Sequence, residues 1–120
     1  MKADNTERPD DLGRELGVVL PAGARIAGVH REAGIDALVA VKVELGTEEA
    51  RAFLKTSPVK AEAMRSGTRG FLGPNHDWWD PSHAAGLRTG QAQLAAGRVL
   101  NIGVSERGAT TILYLVAHGT

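Results

Sequence analysis

Within eight residues the chain reads His76-Asp77-Trp78-Trp79-Asp80-Pro81-Ser82-His83. No other window of this length combines two imidazoles with two carboxylates. Two imidazoles and two carboxylates would suit a divalent ion, or acid–base steps in a small hydrolase or isomerase. That chemistry needs side chains held at fixed spacing, and here neither a helical nor a strand period sets one. The spacing fits no metal motif, so neither a metal nor a cofactor is expected. On the simpler view, Asp77 and Asp80 cap turns beside Pro81 and the histidines face solvent. A hydrolase or isomerase using His76, Asp77, Asp80 and His83 is kept as the alternative.

The tryptophans of the same window support a different role. Aromatic residues make up only 4% of the chain, yet both of its tryptophans lie here, bracketed by Pro74 and Pro81. Neighbouring side chains in extended backbone face opposite ways. One indole is therefore expected in the domain's own core and the other at the surface, where tryptophan is a common interface anchor. Which of the two is buried is not readable from sequence. The expected contact surface is the 70–83 loop, with Trp78, Trp79, Asp77 and Asp80, extended by Arg69 just before it.

Other candidates are weaker. The glycine spacing of Gly67-Thr68-Arg69-Gly70 resembles the loop that clamps RNA backbone in KH domains, but Pro74 blocks the helix that should follow. His118 ends a strand pattern and His30 lies on another, where they could line a site together; a lone strand-end histidine is more often an ordinary surface residue. No serine sits in a Gly-x-Ser-x-Gly elbow, and no phosphate-binding glycine loop or dinucleotide fingerprint occurs.

The elements that must carry these residues are clearest at the C-terminal end. Residues 98–118 form two β-rich runs around Ser105-Glu106-Arg107-Gly108, the pattern of a β-hairpin. The second run alternates Ile112, Tyr114 and Val116 with Leu113, Leu115 and Ala117. Being apolar on both faces, 110–117 is expected to be the central strand, in a sheet either covered on both faces or with one face closing a partner surface. Upstream, 24–31 and 35–45 read as two antiparallel strands, the first nearer an edge. The second puts Ala37, Val39, Val41, Val43 and Leu45 on one face and Asp36, Lys42 and Glu44 on the other. A short helical turn capped by Asp10 or Asp11 precedes them and stops at Gly17; a type I turn is expected over 20–23.

Thr47 is expected to cap a helix whose stripe is Ala50, Phe53 and Leu54. Ser57-Pro58 predicts a second short helix over 59–65. A short strand is expected at 91–94. The predicted fold is α+β: an antiparallel sheet of four to five strands with one or two short helices on one face, in the order β-β-α-loop-β-β-β. Residues 1–9 read as a flexible tail and 10–120 as one domain.

Composition bounds the rest. With 42% hydrophobic and 23% charged residues in 120, the chain can bury a core of its own. Absence of cysteine removes disulfides and thiolate chemistry. Zero formal net charge argues against a nucleic-acid partner, and no apolar run is long enough for a membrane span. A cytoplasmic, non-enzymatic binding module with a protein partner is the expected function, such as a bacterial immunity- or inhibitor-type protein.

Overall fold

The computed structural model describes residues 8–33, 37–67, 74, 76–84 and 86–119. Helix α1 (Pro9–Leu16) leads into strands β1 (Arg25–Glu32) and β2 (Leu38–Gly46), then helix α2 (Thr47–Thr56). A two-residue strand β3 (Arg65–Ser66) is followed by β4 (Arg88–Gln93), β5 (Arg98–Arg107) and β6 (Thr110–Gly119). All pair antiparallel in one sheet, ordered β1-β2-β6-β5-β4-β3. The fold is thus α+β as expected, with β6 inside the sheet between β2 and β5. The sheet has six strands rather than four to five. The extra one, β3, pairs only Arg65 with Thr89 and Ser66 with Arg88, too short a stretch for any alternation to register in sequence.

Register decides which side chains share a face. Val41 lies opposite Leu115, which lies opposite Ile102, and this row points toward the helices. Leu12 and Leu16 from α1 and Ala50 and Phe53 from α2 close over it, so the main core is buried on this side. Each such aliphatic or aromatic side chain contributes roughly 1.5–3 kcal/mol by leaving water. The alternate row, Ala40 beside Val116 and Lys42 beside Tyr114, points the other way. Trp79 and Leu87 from the long connection between β3 and β4 cover it instead of α1 and α2, with Trp78 and Ala84 beside them. This explains why 112–117 is apolar at every position: both faces of this part of β6 are buried.

Several local expectations shift. Asp10 and Asp11 lie inside the first turn of α1, where they complement the positive helix end, while Arg8 is the cap residue. Gly17 closes α1 at φ 82°, a left-handed conformation open to glycine at low cost. The turn before β1 is one residue later than expected, with Ala24 N–H donating to the Pro21 carbonyl at 3.0 Å. At α2 the cap residue is Gly46, whose N–H donates to Glu49 Oε1 at 3.1 Å; the Thr47 hydroxyl instead donates to the Ala109 carbonyl. The helix expected at 59–65 is only a 3-10 turn, Ala61–Ala63, followed by β3. Ser57 spends its hydroxyl on the Val59 N–H at 3.1 Å, so it fixes a local turn without starting a helix. Strand β4 starts at Arg88, three residues before the expected 91. Of the expected tail, 1–7 lie outside the described residues, and Pro9 is the first residue of α1. No described helix is long and apolar enough to cross a membrane.

Candidate functional site

The described part of the long connection, Pro74, 76–84 and 86–87, runs across the second face of the sheet. Trp79 is its anchor, 9% exposed, set edge-on against the Tyr114 ring with centroids 5.4 Å apart. Its neighbours in this second core are Ala40, Leu87, Ile112, Tyr114 and Val116, from β2, β6 and the connection itself.

Asp80 fastens the backbone beside it. The Tyr114 hydroxyl donates to Asp80 Oδ1 at 2.6 Å, and Lys42 Nζ donates to the same oxygen at 3.0 Å. Lys42 also lies over the Tyr114 ring, 5.6 Å from its centroid. Burial works to raise the Asp80 carboxyl, but the Tyr114 hydroxyl and the Lys42 ammonium together outweigh it and hold it below the ordinary carboxylate range. Burial, and then the bond to Asp80, push the Tyr114 hydroxyl far above its usual value, so it remains a donor. This triad joins two adjacent strands to the loop.

Trp78 turns toward β1. A Cβ added to Gly28 would lie 2.3 Å from the indole carbon Cδ2, so the indole rests directly on bare backbone. It is half-buried, crosses Trp79 at right angles with centroids 6.0 Å apart, and stacks on His76 at 5.0 Å and 13°. His76 in turn faces His30: His30 Nδ1 and His76 Nε2 are 2.8 Å apart. The other nitrogen of His30, Nε2, is 2.8 Å from Glu32 Oε2. A carboxylate accepts only, so His30 Nε2 carries a hydrogen for Glu32. In neutral His30 that leaves the Nδ1 lone pair to accept from His76 Nε2–H.

The residues singled out in sequence therefore separate into distinct groups. Trp79 and Asp80 bind to the sheet, Trp78 and His76 form a ridge over β1, and Asp77 and His83 are exposed. His76, Asp77, Asp80 and His83 do not converge; among the described residues no three His, Asp or Glu side chains gather where an ion could be held. Arg69 lies outside the described residues, as do 70–73 of the expected 70–83 loop. His118 lies on β6 with its Nδ1 3.1 Å from the Gly119 carbonyl, while His30 is engaged elsewhere. Sequence reasoning missed Lys42, Tyr114, Glu32 and the His30–His76 contact. Lys42 had a signal: placing β2 against β6 sets it beside Tyr114, two polar tips at a buried position that call for an acid. The His30–His76 contact had none, because it spans 46 residues with no period linking them.

No family model matches the chain, and no curated protein or solved structure matches it significantly.

Proposed function

We propose that this chain is a non-enzymatic protein-binding module, of the immunity or inhibitor type, whose contact surface is the ridge formed by His76, Asp77 and Trp78 beside β1. The observation that carries this reading is the division of labour within the loop. Trp79 and Asp80 are fixed from below by Tyr114 and Lys42, which anchors to the sheet the segment whose preceding residues lie on the protein surface. A ridge already ordered loses little conformational entropy on binding, so each contact it makes contributes more net affinity. Its chemistry is an indole edge flanked by an imidazole and an exposed carboxylate, which suits a partner surface with an apolar notch next to a basic group.

The hydrolase or isomerase alternative draws on the same loop, but Asp80 is committed to Lys42 and Tyr114, and among the described residues its four side chains form no cluster able to hold an ion. That dispersal favours binding over catalysis. The test is a set of single variants compared for partner capture at equal folded concentration. Trp78→Ala and Asp77→Lys should each cut capture at least tenfold while the chain stays folded. Capture equal to wild type by both variants would remove this surface from consideration.

A further inference from the structure

The contact between His30 and His76 joins the loop to β1, apart from the anchor that Trp79 and Asp80 make to β2 and β6. From its geometry we infer that His30 Nδ1 and His76 Nε2 form a two-imidazole site for a borderline-soft divalent ion of the Zn2+ class, independently of the protein-binding reading.

Three features carry this. First, two nitrogens from separate elements, one on β1 and one in the loop, face each other at 2.8 Å. Zinc–nitrogen bonds of about 2.05 Å place two ligand nitrogens roughly 2.9 Å apart at a right angle and roughly 3.3 Å apart at the tetrahedral angle. Opening the pair by about half an ångström reaches the tetrahedral value.

Second, the ring of His30 is held from behind as a metal-ligating histidine is held. Its Nε2–H donates to Glu32 Oε2 at 2.8 Å, which fixes the tautomer and keeps the Nδ1 lone pair available. Third, His76 is kept in place by its stack on Trp78, which itself rests on Gly28. On binding, His76 carries its hydrogen on Nδ1 instead of Nε2, so both rings ligate as neutral imidazoles with no net proton released; an imidazolium cannot ligate, so uptake weakens as pH falls. No third His, Asp or Glu joins the pair among the described residues, so water or a partner's side chain would complete the shell. An imidazole pair prefers Zn2+, Cu2+ and Ni2+ over Mg2+ and Ca2+, whose ligands are oxygens.

The experiment is calorimetric titration of ZnCl2 into the full-length, tag-free, chelator-stripped chain at pH 7.5, with MgCl2 as the contrast. One Zn2+ per chain is expected, and no Mg2+ uptake. His30→Gln and His76→Gln should each weaken binding at least tenfold, and His83→Gln should leave it unchanged. Glu32→Gln should weaken it by roughly ten- to a hundredfold without replacing a ligand. Circular dichroism of each variant confirms that it is folded. No uptake at millimolar Zn2+, or uptake that survives both His30→Gln and His76→Gln, overturns the site and leaves the pair a proton-sharing contact only.

Discussion

Truncating the two adjacent tryptophans should have unequal consequences, and the structure sets the size of the difference. Trp79 is 9% exposed and fills the second core between β2, β6 and the connection. A buried indole removes about 200 Å2 from water, roughly 5 kcal/mol at 25 cal/mol per Å2, of which alanine retains only a small part. Its edge-on contact with Tyr114 contributes about 0.5–1.5 kcal/mol more, while relaxation of the loop into the vacated space returns some of the total. A net loss of about 3–5 kcal/mol is expected for Trp79→Ala. The loss should be global, because freeing the loop also wets Ala40, Ile112, Tyr114 and Val116. Trp78 is half-buried on a surface shelf, so Trp78→Ala should cost about 1–2 kcal/mol. Urea unfolding followed by circular dichroism measures both. A Trp79→Ala loss below 1 kcal/mol, or a larger loss for Trp78→Ala than for Trp79→Ala, would refute the assignment of anchor and ridge.

Three further outcomes follow from the same geometry. Gly28→Ala sets a methyl group against the Trp78 indole, so it should cost about 1–3 kcal/mol and shift the tryptophan emission, read by fluorescence and urea unfolding. For Asp80→Asn, the lost stability should be constant at neutral pH: a carboxyl held below its unfolded value near about 3.9 stabilises the fold above that pH. As pH falls through the lower, folded value that contribution disappears, so the wild-type and Asp80→Asn unfolding curves should converge in acid and differ at pH 7. Leu115→Ala and Val41→Ala, paired neighbours in the helix-covered core, should each cost about 1–4 kcal/mol by denaturant titration.

The sheet was legible in sequence wherever alternation ran long enough to mark faces. Strand β6 could be placed inside the sheet because Ile112 to Ala117 are apolar on both faces, and β2 because Val39, Val41, Val43 and Leu45 alternate with polar residues. What failed were features that single residues decide. Ser57-Pro58 carries a helix-start signal, but the Ser57 hydroxyl closes a two-residue turn and only a 3-10 turn follows. Thr47 has the chemistry of a cap, yet its hydroxyl bonds across to Ala109, which no local pattern reveals. At the site, sequence gathered His76, Asp77, Asp80 and His83 by proximity along the chain. Folding instead pairs His76 with His30 and Asp80 with Lys42 and Tyr114, contacts set by sheet register and by where the loop crosses it. Clustering in sequence singled out a segment without giving the partners its side chains find in the fold.

The claim that the 76–78 ridge is the binding surface is tested most directly by placing a photo-crosslinking residue at Asp77. The control is the same residue at Arg51, an exposed position on α2, with both chains expressed in the cells that normally make the protein. The expected result is a discrete protein adduct from position 77 that is absent from position 51 and is lost when Trp78→Ala is added. No adduct at 77, or the same adduct at both positions, would contradict the assignment.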